Sequence, residues 1–170
     1  NLGSASGGLT FNGGTLRSIM DFSSARTSSL IGSGTIEVTG SDLTMTGIFS
    51  GVGDLTKSGV GTLILGGSNT YSGGTTVSAG ILKGTTSSLQ GPISNDASVI
   101  FDQTTMGTYA GVMSGTGSLM KQNTGTVTLS GNNTYSGGTT FSNGILSVSA
   151  DNNLGSASGG LTFNGGTLRS

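Results

Sequence analysis

The chain repeats itself on two scales, and this limits its fold more than any other feature. Residues 51–82, GVGDLTKSGVGTLILGGSNTYSGGTTVSAGIL, align without gaps on residues 115–146, GTGSLMKQNTGTVTLSGNNTYSGGTTFSNGIL, with 20 of 32 positions identical at an offset of 64. Residues 1–18, NLGSASGGLTFNGGTLRS, recur letter for letter as residues 153–170, an offset of 152. A closed sandwich or barrel has no reason to repeat at these intervals. A solenoid does, because each added coil buries one small face against the last.

Within the repeats the local period is two. Ile36 and Val38 alternate with Thr35, Glu37 and Thr39, Leu43 and Met45 with Thr44 and Thr46, and Val127 and Leu129 with Thr126 and Thr128. Such runs are strands with one face in and one out. They end within a few residues at GG, SG, NG or GS, the residues tight turns use, and β-branched Thr and Val fill their interiors. No helix is expected anywhere. Ile64 and Ile100 are apolar where the alternation calls for polar residues, which marks a locally apolar outer surface.

The fold class read from these patterns is all-β, a parallel β-helix, with residues 1–170 forming one segment of a longer repetitive chain. At roughly 20 to 22 residues per coil, a length typical of short solenoid repeats, the 64-residue interval is three coils and the 152-residue interval about seven. At ~4.8 Å per coil the longer interval rises about 34 Å.

Composition narrows function by exclusion. Gly (34), Ser (28) and Thr (26) fill 88 of 170 positions, and only 8% of residues are charged, for a net charge of −1. No basic patch is available for phosphates, so nucleic acid is not an expected partner, and no apolar run approaches the ~20 residues of a membrane span, so this segment is not expected to insert in a membrane. One proline excludes collagen, and a mean hydropathy of +0.09 with so little charge argues against a solvated linker. Without His or Cys there is no Ser-His-Asp triad, thiolate nucleophile, disulfide or Cys/His zinc site. Asp21, Glu37, Asp42, Asp54, Asp96, Asp102 and Asp151 are scattered, with no Gly-Gly-x-Gly-x-Asp calcium array. No catalytic residue, metal or cofactor is assigned, and the chain is not read as an enzyme.

The repeated positions are the candidate structural sites. Asn69 and Asn133 open NTYSGGTT and are read as turn asparagines that satisfy their own backbone or stack on like side chains. Tyr71 and Tyr135 are expected to pack over the glycine turns with their hydroxyls exposed for a glycan. Gly73, Gly74 and Gly80, with Gly137, Gly138 and Gly144, are turn positions, and Gly73 and Gly137 are expected at positive φ. Lys57 and Lys121 are expected at the edge, as gatekeepers or solvent caps. Outward rows of Thr and Ser suit hydrogen bonding to sugars, to another copy of the surface, or plain solubility.

The motif GTLILGGSNTYSGGTTVSAGILKG and its second copy, GTVTLSGNNTYSGGTTFSNGILSV, resemble the passenger-associated β-strand repeat of bacterial autotransporters. The resemblance extends through LGSASGGLTFNGGTLRS, DFSSARTSSLIGSGTIEVTG and LTMTGIFSGVGDLTKSG. It implies a right-handed parallel β-helix, exported across the outer membrane by a C-terminal β-barrel translocator and displayed outside a Gram-negative bacterium. No catalytic motif comes with it. The function it implies is a rigid extracellular stalk with a role in adhesion or in self-association, end-to-end or lateral. The alternative is a surface that binds a host receptor or glycan directly. A remote alternative is a polysaccharide-cleaving β-helix enzyme, held on fold analogy alone.

Overall fold

The computed structural model describes residues 7–170. The first six residues of the 1–18 copy therefore lie outside the described residues. The alternating runs form short strands, and every pairing between them is parallel. The longest sheet stacks eight of them, Phe22–Ser24, Asp42–Met45, Thr62–Leu65, Ile81–Gly84, Ser98–Asp102, Ser118–Gln122, Thr139–Phe141 and Leu161–Phe163, one from each of eight coils.

A coil has three faces, taken in the order 1, 2, 3 along the chain. The eight-stranded sheet is face 3. Face 2 is the six-stranded sheet from Thr15–Ser18 to Met113–Ser114. Face 1 is a three-stranded sheet, Leu9–Phe11, Ser28–Leu30 and Phe49–Gly51, and later a four-stranded one, Met106–Tyr109, Thr126–Leu129, Ile145–Ser147 and Thr167–Arg169. Both sheets of face 1 follow face 3 in the chain, so they hold the same place in the coil. Between them, residues 66–74 and 85–92 cross that place as irregular backbone.

The core is the inward half of the alternation. Ile36, Val38, Leu43, Met45 and Val127 are fully enclosed, as are Leu55, Leu63, Val77, Leu82 and Val99. Their partners in register are again inward residues: Leu43, Leu63, Leu82, Val99 and Leu119 follow one another up face 3. Each strand is too short to be stable alone, and burial of these side chains between coils supplies the driving force.

Two expectations need correction. Helix is not wholly absent: Asp151–Leu154 forms one 3-10 turn. The Asn153 side chain holds it, its Oδ1 accepting the Ser149 and Ala150 N–H groups at 3.1 and 3.0 Å while its Nδ2 donates to the Gly131 carbonyl. The second correction concerns the repeats, which are not whole numbers of coils. Leu55–Ser58 lies on face 2 and its equivalent at offset 64 lies in Ser118–Gln122 on face 3, so the interval is three coils and one face. Leu9–Phe11 is on face 1 and its copy Leu161–Phe163 is on face 3, seven coils and two faces later. The cause is coil length: Phe22, Leu43, Leu63, Leu82, Val99, Leu119, Thr139 and Leu161 mark successive coils of 17 to 22 residues, shorter in the middle than the uniform value assumed from sequence.

Candidate functional site

The most elaborate side-chain chemistry sits at the repeated motif, and it is built identically on two different faces. Asn69 bridges three coils: its Oδ1 accepts the Phe49 N–H of the coil below at 2.8 Å, and its Nδ2 donates to the Ser88 carbonyl of the coil above at 2.7 Å. Asn133 does the same with the Met113 N–H at 2.8 Å and the Asn153 carbonyl at 2.6 Å. These asparagines neither satisfy their own backbone nor stack on each other. The chain leaves strand geometry at 66–74 and 130–138, and the amide replaces the ladder bonds lost there.

The tyrosines are inside, contrary to the exposed placement expected. Tyr71 and Tyr135 are 3% and 0% exposed, and each hydroxyl is 2.6 Å from a threonine hydroxyl, Thr75 or Thr139. Enclosed and bonded in this way, neither hydroxyl is offered to a glycan, and burial pushes both phenols above their ordinary pKa. The irregular segment leaves a gap in the strand column, and a large ring fills it.

Lys57 and Lys121 are also enclosed, at 0% and 1% exposure, so they do not cap an edge. The Lys57 Nζ donates to the carbonyls of Ser58, Gly59 and Ala79 at 2.8, 2.7 and 3.0 Å. The Lys121 Nζ meets the carbonyls of Gln122, Asn123, Gln103 and Asn143. An ammonium has three donors and no acceptor, which suits a turn whose carbonyls converge. Burial lowers the Lys57 pKa to about 8 and lowers that of Lys121, the latter partly offset by the charge of Asp102.

Glycine placement follows from the same packing. Positive φ falls on Gly74 and Gly138, both at 85°, one residue after the positions expected from sequence. Gly73 and Gly137 are glycine for another reason: a Cβ there would stand 2.5 and 2.6 Å from the backbone of Gly53 and Gly117 one coil below. Gly80 and Gly144, at φ 71° and 68°, each close the turn over a lysine, where a Cβ would lie 2.9 Å from Nζ.

The outer surface has two distinct rows. On face 2, Thr15, Thr35, Thr56, Thr76, Ser94 and Ser114 stand in direct register on six successive coils. On face 3, Ile64, Lys83, Ile100 and Met120 are consecutive, so the two residues that broke the alternation do lie in one outward row. Ile100 is nonetheless only 8% exposed. Lys83 turns its ammonium to Asp102 at 2.9 Å, and Asp102 also accepts from Asn123 at 2.8 Å. Burial acts to raise the Asp102 pKa, but these contacts outweigh it and hold the carboxyl below its ordinary value. The most exposed apolar residues are Ile19, Met20, Ile31, Val52 and Val60, which lie in turns, and Met106, which opens a face 1 strand.

Five of the seven carboxylates, including Asp102, make coil-to-coil contacts. Asp21 accepts the Asp42 N–H, Asp54 the Ser33 hydroxyl, and Asp96 the Thr116 N–H, while Glu37 pairs with Arg17 at 3.4 Å. Among the described residues no group of three or more acidic side chains could hold a metal ion. The hollows are shallow: one of about 270 Å³ bordered by Arg17, Met20 and Phe22, and one of about 370 Å³ beside Asp54, Thr76 and Ser114. No described helix is long and apolar enough to cross a membrane.

Sequence reasoning missed the interior polar residues outside the aligned repeats. Asn95 donates to the Ser118 carbonyl and accepts the Ala97 N–H, and Gln103 accepts the Thr86 N–H. No spacing marks them. The exception is Asn153, whose 152–154 segment NNL parallels SSL at 87–89 one residue out of the 64 offset.

Comparison with known proteins singles out the same two stretches. Residues 55–83 and 119–148 match the family described as Passenger-associated-transport-repeat, the two stretches that carry the buried lysine, asparagine and tyrosine. The chain is 42% identical over 187 aligned residues, covering 81% of its length, to a protein described as Adhesin BmaC autotransporter from Brucella suis biovar 1 (strain 1330). It spans only 6% of that relative's length. No solved structure matches it. With two copies of the transport repeat, each folded across successive coils, the chain is a segment of an autotransporter passenger.

Proposed function

We propose that this segment is a rigid length of the stalk of a surface adhesin, contributing reach and not catalysis. The observation that carries this reading is the unbroken eight-strand face 3, one strand per coil, fastened at intervals by buried asparagine and lysine bridges to the coils on either side. Eight coils at ~4.8 Å give a rod of about 38 Å. The likeness to an adhesin autotransporter supports display outside a Gram-negative cell, tethered through a translocator elsewhere in the parent chain. Five of the seven acids serve as structural acceptors, and the contacts around Asp102 hold its carboxyl ionised, the opposite of a general acid.

The test is made in the parent passenger. Deleting residues 19–170 as one 152-residue interval should shorten the projecting stalk by about 37 Å, given ~4.8 Å per coil, with adhesion reduced only as reach is reduced. Changing Thr35, Thr56 and Thr76 to Lys should leave adhesion unchanged. Adhesion abolished by the threonine changes, with stalk length intact, would replace this reading by direct binding to a receptor or glycan, which the six-coil hydroxyl row of face 2 favours. Light scattering across a hundredfold concentration range separates both from lateral self-association, which would show as growth in mass.

A further inference from the structure

The buried motif is indifferent to the face on which it sits. Its first copy places NTYSGGTT across face 1 and its second places it across face 2, yet the asparagine bridges, the tyrosine–threonine contacts of 2.6 Å and the glycine φ of 85° are the same. The three columns of the coil are therefore interchangeable frames. A sequence unit need not return to the column where it began.

The 152-residue interval uses that freedom. It runs seven coils and two faces, which is 23 faces in all, and 23 is not a multiple of three. We propose that where such units follow one another in the parent chain, each presents its surface a third of a turn away from the last, so that every outward row points in three directions in turn. The Ile64–Lys83–Ile100–Met120 row, on face 3 here, would lie on face 2 in the next unit and on face 1 in the one after. Three units restore the original direction after 23 coils, about 110 Å at ~4.8 Å per coil. A stalk built this way has no front and no back. Any contact its surface makes, with a neighbouring stalk or a flat target, is available from every side and recurs along the rod, so that weak contacts act together wherever the stalk touches.

The rotation can be read within this chain. Nitroxide labels on Thr56→Cys with Ser114→Cys stand three coils apart on one face, about 14 Å at ~4.8 Å per coil, and should broaden each other strongly. Labels on Thr56→Cys with Met120→Cys, the offset-64 pair, lie on different faces and should broaden less. If the interval were three whole coils the order would reverse, and that result would overturn the proposal. Should either double variant fail to fold, Thr76→Cys with Thr15→Cys, against Thr76→Cys with Thr140→Cys, repeats the comparison. In the parent passenger, antibody fragments bound to an epitope placed at Val60 of successive units should alternate around the stalk in electron micrographs. Fragments in one straight row would refute the three-direction display even if the label distances hold.

Discussion

Asn69→Ala isolates the device that replaces strand pairing where the backbone leaves the sheet. In the native chain one amide satisfies two enclosed backbone groups, the Phe49 N–H at 2.8 Å and the Ser88 carbonyl at 2.7 Å, and both Phe49 and Ser88 are 0% exposed. Alanine leaves both without a partner and opens a gap too enclosed to admit bulk water. Each orphaned group costs about 1–3 kcal/mol, so a loss near 4 kcal/mol is expected, large against a typical domain stability of about 5–15 kcal/mol. Asn133→Ala should cost the same to within about 0.5 kcal/mol although it lies on another face, and because the two sites share no partner their effects should add to that precision. Asn69→Asp keeps the acceptor for Phe49 but points a carboxyl oxygen at the Ser88 carbonyl. It should fold best protonated and weaken as the pH rises through the carboxyl range. Urea unfolding followed by circular dichroism gives these values from the shift in midpoint at constant slope. A loss below about 1 kcal/mol for either alanine would mean that the backbone finds other partners, and the bridging account would fail.

Other outcomes follow from the same geometry. Gly73→Ala should destabilise by about 3 kcal/mol or more through collision with the Gly53 backbone, and Gly74→Ala by about 1–2 kcal/mol through strain at φ 85°, so thermal melts should rank them in that order. Tyr71→Phe should cost about 1–2 kcal/mol, the Thr75 hydroxyl losing its partner, without altering the circular dichroism spectrum. For pH, Lys57 carries fewer protons folded than unfolded between about 8 and its ordinary 10.5, so its contribution makes stability rise with pH across that window. The buried tyrosines act oppositely: their raised folded pKa contributes stability below 10 that is lost as pH climbs above it. Melting temperature should therefore rise above about pH 8 and turn over near about pH 10, and a monotonic fall across that window would contradict the lysine burial.

Fold class was legible because a period of two needs nothing but neighbouring residues to be seen, as at Ile36, Val38, Leu43 and Met45. Repetition then distinguished a solenoid from a closed sheet. What escaped was everything fixed by the coil above or below. Lys57 looks like a surface lysine until three carbonyls from two coils are seen to meet at its ammonium. Tyr71 looks like a surface aromatic among small residues until the irregular backbone at 66–74 is seen to leave room beneath it. The same applies to phase: a coil that shortens to 17 residues between Leu82 and Val99 shifts everything after it around the axis, and no local pattern announces the deletion.

Each pairing in the molecule joins residues 17 to 22 positions apart, from Phe22 with Leu43 to Thr139 with Leu161. The entropy lost in closing a loop depends on the logarithm of its length, so every new coil faces the same closure cost, whatever the length already folded. Growth at one end is then a series of equal steps, each templated by the strand edges of the coil before it. A chain many times longer would have the same sequence separation between partners, and its folding time would grow with the number of steps and not with the difficulty of any one of them.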